Sequence, residues 1–202
     1  MIPSLLLSMM LFQAAAQTAP KAPSGMSAKT SATAQTEQKP VIDNERVTVY
    51  DVTSAGAQPF DAVVVSFKGK AAFLPKGQAP KLDGRALVID LKEHMPSITR
   101  MKNTSGYPLA FPRPGIKKLF ENARVIVWDY TWKPGVATPM HYHDKDVVVL
   151  FLEDGDLKST EPDGKSVVNS YTAGTVRFNK GNRTHSETLV KGKQRALITE
   201  LK

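Results

Sequence analysis

There is no cysteine anywhere in the 202 residues. Its absence excludes disulfides, thiolate metal ligands, a cysteine nucleophile and a lipidated N-terminal cysteine anchor. Long hydrophobic runs are also missing. The apolar stretch Leu5 to Phe12 is far short of the roughly 20 residues that a membrane-spanning helix needs. Histidine is scarce, with only four, and aromatics make up 7%. Acidic residues are outnumbered, 19 Asp and Glu against 27 Lys and Arg, for a net charge of +8. The basic residues are scattered singly or in pairs such as Lys117 and Lys118. No basic run is interleaved with aromatics, so nothing marks a nucleic-acid interface. The surplus reads as a solvated basic surface, compatible with attraction of anionic ligands. Hydrophobic residues, at 41%, are enough for a core once the N-terminal tail is set aside.

What is present divides the chain into four parts. Residues 1–16, MIPSLLLSMMLFQAAA, have an apolar h-region followed by the small residues Ala14, Ala15 and Ala16, the pattern of a signal peptide. No Lys or Arg precedes the h-region. The segment predicts export to the periplasm or the extracellular space, with no membrane span after cleavage. Residues 17–40 are rich in Ala, Thr, Ser, Lys, Gln and Pro and lack apolar periodicity, so they read as a disordered linker. From Val41 onward, short β-branched runs alternate with Gly, Pro, Asp and Asn. Strands are expected at Arg46–Val52, Ala62–Phe67, Ala86–Leu91, Arg124–Trp132, Val147–Leu152, Ser166–Tyr171, Thr175–Asn179 and Arg195–Leu201. Such a series predicts an all-β sandwich or barrel. A short helix is expected over Ile116–Asn122, entered through Pro114 and Gly115.

The β-rich part contains a weak repeat. RVTVYDVT from Arg46 matches RVIVWDYT from Arg124. DAVVV from Asp61 matches DVVVL from Asp146. RALVIDLK from Arg85 matches RALITELK from Arg195. The offset between the copies widens along the chain, first around His141 and His143 and then across the stretch containing His185. The histidine-bearing pieces are therefore what the first copy lacks. Residues 41–115 read as a degenerate N-terminal β region and residues 116–202 as the domain that carries the chemistry.

His141 and His143 are separated by one residue, so on a strand both imidazoles project to the same side. Two imidazoles on one face can grip a divalent ion with a third ligand from elsewhere. His185 follows a strand and a Gly/Asn turn. His94 lies in a polar stretch before Pro96, without such a context. Trp128, Tyr130 and Trp132 share one face, a pattern expected of barrel core.

These motifs resemble the cupin superfamily. Gly135, VATPM, His141, Tyr142 and His143, closed by Gly155, follow its first motif. Gly174, TVRFN, Lys180, Gly181, Asn182 and His185 follow its second, with Lys180 in place of a proline and Asn182 in the place of a glycine. The resemblance implies a jelly-roll β-barrel, here with the degenerate N-terminal β half packed against it. It implies His141, His143 and His185 as ligands of a divalent transition metal such as Fe, Mn, Ni, Cu or Zn. The family's glutamate position falls on Val148, which cannot bind metal. Asp146, two residues earlier, is either a fourth ligand or a scaffold residue, the latter favoured because Asp61 heads the matching strand. Glu187 shares the face of His185. Glu187 and Asp146 are the candidate catalytic bases, and Arg177 and Arg183 the candidate substrate contacts. The implied function is a small-molecule metalloenzyme of dioxygenase, isomerase or lyase type. The alternative is a cupin that binds a metal or ligand without turnover. The resemblance also brings in a homodimer, which two halves in one chain could replace.

Overall fold

The computed structural model describes residues 39–93 and 102–202. The expected signal peptide, the expected linker up to residue 38 and His94 lie outside the described residues. Within them the secondary structure is all β, in three antiparallel sheets.

The first sheet comes from the N-terminal region: β1 (Ile42–Asp43), β2 (Val47–Val52), β3 (Ala62–Ser66), β4 (Ala71–Leu74) and β5 (Ala86–Leu91), in the order β1-β2-β5-β3-β4. The C-terminal region adds β6 (Lys117–Glu121), β7 (Val125–Trp132), β8 (His141–His143), β9 (Asp146–Phe151), β10 (Gly155–Thr160), β11 (Ser166–Tyr171), β12 (Val176–Asn179), β13 (Arg183–Gly192) and β14 (Gln194–Leu201). Five of these form a second sheet, β6-β7-β14-β9-β12, and the other four a third, β11-β10-β13-β8. The second and third sheets face each other across a cluster containing Trp128, Val149, Ile198, Leu157 and Leu189, and together they make a cupin jelly-roll barrel.

The second sheet is buried on both faces, which explains its nearly unbroken hydrophobic strands. Along β9, Val147, Val149 and Phe151 point into the barrel, while Val148 and Leu150 pack outward. The outward residues join Val125, Val127, Leu197 and Leu201 in one cluster with Val47, Val49, Val63, Leu87, Ile89 and Leu91 of the first sheet. On β7, Trp128 and Trp132 belong to the barrel cluster, with Tyr130 packed against it.

The first and second sheets share strand order and register. Val47 opposes Leu91 as Val125 opposes Leu201. Ala62 opposes Asp90 as Val147 opposes Glu200. Val63 opposes Phe73 as Val148 opposes Phe178. The repeated sequence segments occupy the matching strands. The four strands without a counterpart in the first sheet, β8, β10, β11 and β13, are those of the third sheet. They carry all three described histidines.

The two sheets also exchange ion pairs. Arg46 Nη1 donates to Asp146 Oδ2 at 3.2 Å, and the matching Arg124 Nη1 donates to Asp61 Oδ2 at 3.3 Å. Arg46 Nη2 reaches the carbonyl of Lys202, as Arg124 Nη2 reaches that of Lys92. Each half thus holds the strand ends of the other.

Residues 116–122 do not form the expected helix. Lys117–Glu121 is β6, paired with β7 and bulged between Lys118 and Phe120. A helix of two turns has too few internal hydrogen bonds to offset its nucleation cost. The open edge of β7 supplies partners instead, and Leu119 and Phe120 pack on the core between the sheets. Upstream of β6, Ala110 and Phe111 join the barrel cluster, so part of residues 102–115 packs with the C-terminal half.

Candidate metal centre

The β8 and β13 strands build the site. They pair antiparallel, with His141 opposite His185 and His143 opposite Arg183. Strand alternation then places His141, His143, Arg183, His185 and Glu187 on one face. Tyr142 points the other way and donates its hydroxyl to Asn182 Oδ1 at 3.1 Å. The turn into β13 depends on local backbone chemistry. Asn182 has φ 59°, which explains why asparagine tolerates the glycine position of the motif. A Cβ on Gly181 would come within 3.0 Å of the Lys145 backbone, so only glycine fits there without a shift. Asn182 N–H donates to the carbonyl of His143 at 2.7 Å, tying the turn to the histidine strand.

All three imidazoles are buried, at 2%, 6% and 7% exposure for His141, His143 and His185. Their ring centroids are 4.9 to 5.1 Å apart. Among the described residues, one group of candidate ligand atoms lies mutually within 4.8 Å, and it consists of these three. His143 Nε2 and His185 Nε2 are 3.1 Å apart. Two nitrogens each about 2.1 Å from one ion, at tetrahedral or octahedral angles, would be separated by roughly 3.0–3.4 Å. The donor set therefore fits a divalent transition metal. His141 Nδ1 donates to the Pro139 carbonyl at 2.7 Å, so its Nε2 carries the lone pair. That Nε2 accepts from Arg113 Nη1 at 3.3 Å, a contact that an ion would displace. His185 Nδ1 is 3.1 Å from Ser159 Oγ on β10. The outer nitrogen of His143 has no partner.

Electrostatics keep the imidazoles neutral, the form that ligates metal. Burial pushes all three down, and neighbouring cations add to it: Arg113 beside His141, Arg183 beside His143 and His185. His185 falls to about 4 despite the opposing charge of Glu187. Glu187 itself is pushed up by burial. The adjacent His185 ring and the Arg113 guanidinium outweigh this and leave it below its ordinary value. Its Oε2 accepts from Trp132 Nε1 at 3.2 Å and lies 3.7 Å from Arg113 Nη2.

Asp146 is not brought to the histidines. One oxygen receives Arg46, and the other accepts from Gly181 N–H at 2.8 Å. The reason is parity. Asp146 shares the face of Val148, which packs against the first sheet, whereas Val147 and Val149 face the site. Arg177 and Arg183 both line the cavity next to the histidines, with Glu187. Sequence reasoning passed over Arg113, Ser159 and Phe111. Phe111 stands edge-on to His143 at 5.7 Å. None of the three belongs to a motif, and each reaches the site through sheet packing.

A jelly roll with three inward histidines on two paired strands is the arrangement that the cupin resemblance implies for this chain. No family model matches it. It is 35% identical over 82 residues to the beta-alanine degradation protein BauB of Pseudomonas aeruginosa, across 41% of this chain and 81% of that protein. The chain belongs to the BauB family. Among solved structures it is similar to a cupin domain of Bordetella pertussis Tohama I, 27% identical with a TM-score of 0.40, covering 45% of this chain and 97% of that one. A cupin 2 conserved barrel domain protein of Leptotrichia buccalis is 12% identical with a TM-score of 0.44, over 82% and 88%.

Proposed function

We propose that this protein is an exported metal-dependent enzyme acting on a small molecule, with the ion held by His141, His143 and His185. The observation that carries the proposal is the convergence of three buried, neutral imidazoles, two of which, His143 and His185, line a cavity of about 160 Å³. A bound divalent ion with three nitrogen ligands supplies Lewis-acid or redox chemistry at its open positions. The chain's own residues do the rest. Pro139 and Ser159 hold the outer nitrogens of His141 and His185 and so set ring orientation. Trp132 and Arg113 fix the Glu187 carboxylate beside the trio, where it can take or return a substrate proton. Phe111, Phe151 and Val149 exclude water from the inner wall.

BauB is described as a beta-alanine degradation protein. That supports a role in breaking down a comparably small compound. A cupin that binds without turnover is the alternative. The N-terminal half is read as a degenerate copy that lost, or never had, the histidine-bearing sheet. It covers the outer face of the second sheet, so a homodimer would have to use another surface.

Metal analysis of the purified protein is the test. About one Fe, Mn, Ni, Cu or Zn per chain is expected, falling below about a tenth in His141→Ala. Wild type without metal after reconstitution overturns the reading. Turnover in a substrate screen separates the enzyme from the binder, and the N-terminus of the mature protein in the periplasmic fraction tests export.

A further inference from the structure

The cavity beside the histidines has an unbalanced charge. Arg113, Arg177 and Arg183 line it against one acid, Glu187. That acid is already engaged by Trp132 and faces Arg113. Arg113 is further held over the Tyr130 ring at 4.0 Å. Among the described residues, no carboxylate lies within ion-pair distance of Arg183 or Arg177.

Arg183 stands out. It sits on the histidine face of β13, opposite His143. Its Nε is buried and has no hydrogen-bond partner. A guanidinium withdrawn from water is costly unless an anion or acceptor compensates it. Its planar fork matches a carboxylate in two parallel hydrogen bonds. Arg177 enters from β12, opposite Val149, and lies 5.9 Å over the Tyr171 ring. Tyr171 is stacked on Phe151 at 3.9 Å, which gives this part of the cavity a rigid aromatic floor. Val147, Val149 and Ile198 give the wall an apolar stretch, beside the polar Ser159, Asn169 and Asn179. The space is about 160 Å³. Cavities of about 150 Å³ hold a molecule the size of benzene.

We propose that this cavity takes a small carboxylate of about six non-hydrogen atoms, with Arg183 and Arg177 as its anion-binding pair and its short body against the valine and Phe151 wall. His143 and His185 line the same cavity, so a carboxylate anchored at the arginines would present its other end to the histidine site. The inference deepens the functional reading above by naming the substrate class.

Calorimetric titration of the full mature protein, with metal content measured on the same samples, tests it. The probes are propionate, malonate and the neutral propanamide. Wild type is expected to bind propionate or malonate at least about tenfold more tightly than propanamide. Arg183→Gln is expected to lose about tenfold in carboxylate affinity with its metal content unchanged, and Arg177→Gln, at the exposed end, about threefold. Equal binding of propionate and propanamide overturns the inference, as does carboxylate affinity unaltered by Arg183→Gln. If that variant does not fold, the wild-type comparison of acid with amide decides alone. Carboxylate preference in a protein that holds no metal would sink the metal reading and leave this one. Full metal with no preference would do the reverse.

Discussion

The two sheets that pack face to face have the same strand order, the same register and matching ion pairs, yet only one of them is part of a site. The difference lies in what covers the other face. Behind the second sheet stands a third, whose strands β8 and β13 bring three histidines and two polar partners to one surface. Behind the first sheet, the described residues form only a small cluster of Val52, Ala62, Leu74 and Val88. The shared sheet is a scaffold. The chemistry enters with the third sheet, which backs only the second.

Equivalent positions carry the same lesson in their polar groups. Asp90 and Glu200 occupy matching places on β5 and β14, and both are buried. Glu200 accepts from Trp128 Nε1 at 2.7 Å and has Lys145 Nζ at 3.8 Å. Asp90 Oδ1 has no partner. Burial raises both carboxyls, Asp90 to about 6. Trp128 on β7 and Lys145 in the loop after β8 supply Glu200 with neighbours. Asp90 lacks them.

The largest effect should come from the histidines. His185→Ala removes a ligand that the first half cannot replace, and metal content by elemental analysis should drop at least about tenfold. The reciprocal ion pairs come next. The Arg46–Asp146 pair is buried, with side chains 2% and 9% exposed. Arg46→Met leaves Asp146 uncompensated and should destabilise by about 3–5 kcal/mol in urea unfolding. Asp146 also holds the Gly181 amide, at the turn into the histidine strand β13. Metal affinity in this variant should therefore fall as well, and unchanged affinity would show that the pair braces the fold alone.

Asp90 should give a pH-dependent effect. Its folded-state value is about 6 against an ordinary 3.8, so folding favours the protonated form. Its share of stability is fully present below about pH 4, declines as pH rises and is lost above about pH 6. Asp90→Asn should abolish that decline and stabilise by about 2–3 kcal/mol at pH 7 while changing little at pH 4. A pH-independent difference in thermal unfolding would contradict this. Arg124→Met should show the smallest effect. Its pair with Asp61 is 24% and 34% exposed, so a loss of about 1 kcal/mol or less is expected, with metal content intact.

Strands with β-branched runs were the legible ones, the largely exposed β11 included. The valine runs of β3 and β9 and the repeated segments of β2, β7, β5 and β14 are found where their β-branched pattern predicts them. The polar strands β10 and β13 were not delimited, because GDLKST and RTHSETLVKG lack a regular apolar alternation and gain their partners from each other. Residues 117–121 were misread as helical because a short mixed segment takes the structure of whichever edge it meets.

The site divides along the same line. The spacing of His141 and His143 is enough to put both on one face, since alternation is a property of the strand itself. The glycine and asparagine before His185 likewise declare a tight turn through their own backbone preferences. The fate of Asp146 is of another kind. Its side chain points away from the histidines toward Arg46, 100 residues distant in the chain. Arg113 reaches His141 from 28 residues away through the packing of its segment on the barrel. Contacts of that range depend on which sheets face each other, and that is decided by burial of whole surfaces, which no local pattern encodes.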